Sequence, residues 1–292
     1  MQVTTIRIIK ASSLDREGLL SRRISEIEAG GFRVLFDDLP EDPTWPYCAS
    51  SVANRAKALE QAFLEEESDA VMWARGGYGA SELLDRMPWP TIKKSRFKPI
   101  IGFSDVCAVQ SACYAMDGRP SIHGPMPATT TWKLNGDSDV NELFSLLRGE
   151  NSSGVISLNE QAKTDIRGVL FGGCLSVLTN LIGTPYLPKM FADHILIFED
   201  IGENPGRIIR MLNQWHQSGL FLGVKALIFG SLSQLGSSLP DSSPVVIDEI
   251  RKRFRLPIFT TSQVGHISPN MPFVVGSLAE IENNQLNWTI RE

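Results

Sequence analysis

The stretch Lys98–Met116, KPIIGFSDVCAVQSACYAM, decides the fold. Its apolar run Pro99-Ile100-Ile101 is short, β-branched and closed at once by Gly102, which predicts a strand buried inside a parallel sheet. From Val106 the apolar residues Val106, Val109, Cys113 and Met116 recur at helical spacing, so a helix is expected to begin just after Ser104-Asp105. Ser104 falls at the corner between them. A hydroxyl there projects from the carboxyl edge of the sheet, where the first free N–H groups of the helix also point. This is the geometry of a nucleophile elbow. Serine and aspartate are also preferred N-caps, so the same residues admit a purely structural reading in which Ser104 or Asp105 caps the helix.

Working outward, strands and helices alternate. Ile6–Ile9 reads as a strand, Arg16–Ala29 as a helix ended by Gly30-Gly31, Arg33–Phe36 as a strand, Ala53–Glu66 as an amphipathic helix and Asp69–Ala74 as a strand. The loop Arg75–Ala80, RGGYGA, and a helix Ser81–Arg86 follow. This order predicts an α/β domain with a parallel sheet covered on both faces and ligands at the carboxyl ends of its strands. The loop's glycines let backbone N–H groups approach a ligand closely, as a phosphate cradle or as an oxyanion hole beside the nucleophile. It matches GxGxxG poorly and no GK[ST] follows, which gives nucleotide binding little support; a tight strand-to-helix turn is the structural alternative.

From Asp137 to Asp165 the chain is polar and broken apart from a short helix Val140–Leu147, and Arg148–Gly154 reads as an interdomain connection. The expected boundary lies near residue 150, dividing the chain into 1–150 and 151–292. In the second part Gly168–Cys174 leads into a helix Leu175–Ile182, and a strand Ile195–Phe198 ends on Glu199-Asp200. A helix Pro205–Gln217, a strand Val224–Phe229, a helix Val245–Phe254 and a strand Pro257–Gln263 running into Gly265-His266 come next. A hairpin, Ala279–Ile281 and Leu286–Ile290, turns at Asn283-Asn284. Strand direction is expected to be more mixed in this part.

A net charge of −5 over 292 residues, with no basic run beyond Arg251-Lys252-Arg253, argues against nucleic acid or an anionic membrane as the main partner. No apolar segment is long enough to span a bilayer, and the N-terminal MQVTTIRIIKASS reads as a first strand and not a signal peptide, so a cytoplasmic protein is expected. Cys48, Cys107, Cys113 and Cys174 show no CxxC pairing and are expected as reduced core thiols; Cys107 is close enough to Ser104 to rival it as nucleophile, but its helical setting favours core packing. His123, His194, His216 and His266 show no metal-ligand spacing, so a zinc site is not expected; no cofactor is expected either.

Three strands end on residues of catalytic type: Ser104, Glu199 and His266. Serine needs a base to take its proton during attack, and histidine, with an unperturbed pKa of about 6.5, is suited to that task. A carboxylate on the far ring nitrogen fixes the tautomer and stabilises the imidazolium. A solvated or capping glutamate and a surface histidine are the plain alternatives.

Arg75–Ala80, Gly102-Phe-Ser-Asp105, Gly172-Gly173 with Gly183-Thr-Pro185, Ile195–Asp200 followed by Arg210, and Gly265-His266 resemble, in order and spacing, the LD-carboxypeptidases and the related microcin C self-immunity peptidases. The resemblance runs from about residue 6 to residue 281. It implies a flavodoxin-like N-terminal domain carrying the nucleophile and a mixed α/β C-terminal domain carrying acid and base. Ser104 then matches the nucleophile, Glu199 the acid, His266 the base, and the N–H groups of Gly77 and Asp105 the oxyanion hole. The implied reaction removes D-alanine from a murein tetrapeptide during cytoplasmic cell-wall recycling, without metal, in a family where dimers are common. Arg75, Tyr78 and Arg210 are candidates for holding the substrate, the arginines by forked contacts to its free carboxylate. Cys174 stands where the family commonly has asparagine, and Gly206 where it commonly has an aromatic residue, which bears on the pocket and not on the three catalytic types. A microcin-type peptidase acting on peptidyl or aminoacyl nucleotides is the alternative and would use Trp132 as an aromatic platform. A non-catalytic nucleotide- or sugar-binding module built on the glycine loop is the second alternative.

Overall fold

Five short strands of the first half run parallel: β1 (Thr5–Ile9), β2 (Arg33–Phe36), β3 (Ala70–Trp73), β4 (Ile100–Gly102) and β5 (Ser121–His123). The computed structural model describes residues 2–134, 139–236 and 243–290. The strands lie in the order β2-β1-β3-β4-β5, the flavodoxin order. β3, AVMW, is buried along its whole length, as a central strand between two helical layers must be. The helix Val52–Leu64 begins where Ser51 Oγ accepts the Asn54 N–H at 3.3 Å, and the helix Cys107–Asp117 stops at Gly118, whose φ of 65° suits glycine.

The second half forms a seven-stranded sheet from β6 (Ser153–Ser157), β7 (Ile166–Cys174), β8 (His194–Ile201), β9 (Ala226–Ser233), β10 (Ile258–Thr260) and, after β11 (Phe273–Val275), from β12 (Leu278–Glu282) and β13 (Gln285–Thr289). Its order is β10-β9-β8-β7-β12-β13-β6, with β7 to β10 parallel and β12, β13 and β6 antiparallel. The fold is thus mixed α/β with two sheets. β8 is buried from Ile195 to Asp200 and is covered by the helix Pro205–Gln217, which presents Ile208, Leu212 and Trp215 inward. Burying a side chain of this size contributes roughly 2–3 kcal/mol each.

β11 does not join its neighbours in sequence. It crosses back and pairs antiparallel with β5, Phe273 opposite His123, as the sixth strand of the first sheet. The sequence reading places no strand at β5 or β11, each three residues long. The polar stretch read as a connection carries strand β6, whose only fully buried residue is Ile156 because it lies at a sheet edge. Residues 137 and 138 of that stretch lie outside the described residues, and its short helix spans Asp139–Arg148. The expected strand Pro257–Gln263 shrinks to Ile258–Thr260; Thr261 turns its hydroxyl to the Ser157 carbonyl at 2.7 Å.

Candidate active site

Ser104 leaves the end of β4 through Phe103 and adopts φ 65°, the left-handed region that side chains occupy only under strain. A 3-10 turn, Ser104–Val106, then feeds the helix Cys107–Asp117, and neither takes a side-chain cap, so the capping reading falls away. The strained corner instead directs Oγ to His266 Nε2, 2.9 Å away. Gly76 packs directly behind it: a Cβ there would lie 2.8 Å from Ser104 Cβ and 3.0 Å from Oγ, so no other residue fits.

His266 Nδ1 lies 2.7 Å from Glu199 Oε2. A carboxylate only accepts, so Nδ1 carries the proton, Nε2 is the acceptor, and the Ser104 hydroxyl donates to it. Glu199 is fully buried on β8 at the point where the β8–β9 ladder slips between Phe198 and Asp200. The His266 loop is tied by side chains. The Gly265 N–H donates to Asn270 Oδ1 at 2.9 Å, and the Asn270 N–H to Asp139 Oδ2 at 2.7 Å. Gly265, at φ 129°, brings this loop to Glu199, where a Cβ would stand 3.2 Å from the Glu199 Cβ. The Phe103 ring meets His266 edge-on at 4.9 Å.

Burial alone would lower the His266 pKa, but the charge and hydrogen bond of Glu199 outweigh it and hold it above the ordinary 6.5. Burial would raise that of Glu199, but the imidazoles of His266 and His123 outweigh it and hold the carboxyl below its usual range.

The loops after β1 and β3 are fastened from behind. Asp105 turns its carboxylate inward, accepting from Ser12 Oγ at 2.6 Å and from the Ala80 N–H at 2.8 Å; burial raises its pKa, and these bonds oppose the rise. Arg55, fully buried, donates to the carbonyls of Ala11 (3.1 Å), Gly79 (2.8 Å) and Ser50 (3.0 Å) and pairs with Glu82 at 2.6 Å. The Tyr78 N–H donates to Ser13 Oγ at 3.1 Å. These bonds fasten the loop that carries Gly77 and Tyr78, whose Gly76 packs against Ser104. Sequence reading missed Arg55, although an arginine in line with Leu59 and Ala62 on the apolar face of its helix was a signal.

Arg75 is committed to the Leu14 carbonyl through Nη1 at 3.0 Å. Tyr78 is half-exposed, its hydroxyl donating to Glu82 Oε1 at 2.9 Å. Arg210 is exposed and lines a cavity of about 300 Å³ with Ser176, Arg207 and Gln214; Ser104 and His266 do not line it. Cys107 is buried and accepts the Cys174 N–H at 3.3 Å; burial pushes its thiol far up, which removes it as a rival nucleophile. Trp132 does not serve as a platform, for it is fully buried with its indole N–H on Glu26 Oε2 at 3.0 Å. The exposed rings near the glycine loop are Trp45, Tyr47 and Tyr78, with centroids 4.9 Å apart for the first pair and 6.4 Å for Trp45 and Tyr78. No helix among the described residues is long and apolar enough to cross a membrane.

The profile of the LD-carboxypeptidase N-terminal domain matches residues 6–124, and that of the LD-carboxypeptidase C-terminal domain matches residues 167–281. A Rickettsia prowazekii protein provisionally named a carboxypeptidase is 32% identical over 244 residues, 81% of this chain and 74% of its own. The chain belongs to the LD-carboxypeptidase family. Among other LD-carboxypeptidase relatives, the murein tetrapeptide carboxypeptidase of Pseudomonas aeruginosa is 28% identical over 254 residues, 83% of this chain and 81% of its own. The crystal structure of muramoyltetrapeptide carboxypeptidase from Oxalobacter formigenes superposes with a TM-score of 0.85 at 25% identity, covering 98% of this chain and 99% of that one. Both family profiles stop short of the polar stretch around residue 150, so the shared regions are those that carry Ser104, Glu199 and His266.

Proposed function

We propose that this LD-carboxypeptidase family member is a serine peptidase that releases the terminal D-alanine of a murein tetrapeptide, cutting after meso-diaminopimelate in cytoplasmic peptidoglycan recycling. The observation that carries this reading is the continuous chain of hydrogen bonds from Ser104 Oγ through His266 to the buried Glu199. His266 Nε2 takes the hydroxyl proton as Oγ attacks the carbonyl preceding D-alanine, and Glu199 stabilises the imidazolium that forms. The N–H groups of Gly77 and Asp105 receive the oxyanion; one such donor is worth roughly 3–4 kcal/mol of barrier. His266 then passes the proton to the departing amine, freeing D-alanine, and by the same route activates water to release the acyl group from Ser104.

The test is incubation of the protein and its Ser104→Ala variant with a murein tetrapeptide ending in D-alanine, with and without chelator, following D-alanine by mass spectrometry. Release that survives chelator and vanishes in the variant supports the reading. No release by the folded protein sinks it. Hydrolysis of a peptidyl or aminoacyl nucleotide is a second reading, favoured by the exposed Trp45, Tyr47 and Tyr78 rings beside the glycine loop, on which a base could stack. Preferential cleavage of such a conjugate, followed by mass spectrometry as the freed nucleotide part and lost in a Trp45→Ala variant, would select it.

A further inference from the structure

His123 ends β5, opposite Gly102 of the nucleophile strand, and its side chain is fully buried. Its ring stacks on Phe273 at 4.5 Å and is flanked by Phe103 at 5.8 Å. Both ring nitrogens lack a hydrogen-bond partner, and so does Glu199 Oε1, the carboxylate oxygen that His266 leaves open. Nε2 of His123 faces that oxygen at 3.8 Å. A phenylalanine would suit this aromatic cage better, since a buried ring nitrogen without a partner has given up its hydration for nothing. An imidazole in such a place needs a polar task, and the polar group before it is the other half of the same carboxylate.

We propose that His123 is a positioning residue for Glu199: its Nε2–H faces Oε1 while His266 Nδ1–H holds Oε2, so that two imidazoles from opposite sides clamp the buried carboxylate. The inference rests on the proposed catalytic roles of Ser104, His266 and Glu199. At 3.8 Å the contact is electrostatic and becomes a hydrogen bond on shortening by less than about 1 Å. Because β5 belongs to the first sheet and β8 to the second, the clamp also fixes the sheet that bears Ser104 against the sheet that bears Glu199. The other titratable groups around the carboxylate are Cys107 from the helix after Ser104, Cys174 from β7 and Asp200 from β8; burial raises the pKa of all three, the thiols far up and Asp200 to about 6, which leaves the imidazoles as its cationic or N–H-bearing partners.

The test compares His123→Phe, which keeps the stacking and removes both nitrogens, with His123→Gln, which keeps an N–H donor. In the phenylalanine variant kcat for D-alanine release is expected to fall roughly ten- to a hundredfold with KM within about twofold. A carboxylate with nothing on Oε1 holds the His266 proton more tightly, so the acid limb of kcat/KM and the His266 titration seen by NMR both move to higher pH. The glutamine variant recovers much of kcat and returns the titration toward wild type. Wild-type kcat and an unmoved His266 titration in the folded phenylalanine variant overturn the proposal, as does an equal loss in both variants with the titration unmoved, which is the mark of packing alone. Should the phenylalanine variant not fold, Glu199→Gln in the otherwise native protein decides: the His123 ring resonances shift if the clamp exists and stay in place if it does not. The NMR titrations need no turnover, so they test the clamp even if wild-type protein releases no D-alanine and the substrate reading fails.

Discussion

Around Ser104 the backbone does the placing; around His266 the side chains do. Ser104 is aimed by its own left-handed φ and by Gly76, which leaves room for the serine and for nothing larger than a hydrogen of its own. His266 sits on a loop held by Asn270, which Asp139 holds in turn from a helix 131 residues earlier in the chain. In the proposed reaction Ser104 attacks along one fixed vector, which a strained corner supplies, whereas His266 serves both Ser104 and the leaving group, which a hydrogen-bonded loop permits. Steric substitutions should therefore damage the first side, and loss of acceptors the second.

The sharpest break is at the corner itself. Ser104→Gly relieves the left-handed strain, so thermal unfolding should show a gain of about 1 kcal/mol while kcat falls by roughly 10⁴-fold or more. A glycine variant no more stable than wild type would mean that the corner stores no strain. Glu199→Gln comes next, with kcat expected to fall roughly 10³- to 10⁴-fold as the His266 tautomer is lost. Removing the charge that raises the His266 pKa also moves the remaining acid limb to lower pH. In Gly76→Ala the new methyl would press on Ser104 Cβ at 2.8 Å, and kcat should drop about a hundredfold through misaligned attack. Asn270→Ala, by contrast, leaves the Gly265 N–H without its acceptor; denaturant titration should report a loss of about 1–3 kcal/mol, with a smaller fall in kcat than for Gly76→Ala. The reverse ranking of these two would erase the contrast between backbone and side-chain placement.

The smallest effects are in pH. In its proposed role as base His266 must be neutral, and its folded pKa lies above 6.5, so kcat/KM should climb with pH through a midpoint above 6.5. Asp200, which accepts the Ser176 N–H at 2.7 Å, is pushed up to about 6 mainly by burial. A raised folded pKa means that its contribution to stability is present below about 3.8 and is lost as pH rises through about 6. Unfolding measured from pH 4 to 7 should show this decline, and Asp200→Asn should flatten it.

Much of the site was legible because its signals are local. The helix Pro205–Gln217 carries its own proline start, its cap Asn204 and its apolar stripe, and it forms between the residues expected. Ser104, Glu199 and His266 each follow a readable apolar strand, and their meeting in space was the step no spacing could provide. Arg55 and His123 were passed over because their work is done by bonds to residues far along the chain, and a buried charge or imidazole leaves little local pattern.

The alternation of strands and helices, the corner at Ser104 and the three chemical types at three strand tips are written locally in the chain, since turn glycines, helix periodicity and residue chemistry act over a few positions. Folding adds that β11 returns to the first sheet, that Arg55 and Asp105 lock the glycine loop, and that His123 faces the free oxygen of Glu199. Those arrangements depend on strand order and on the packing of buried polar groups across two sheets, which are set by the sum of long-range contacts and not by any one stretch of chain.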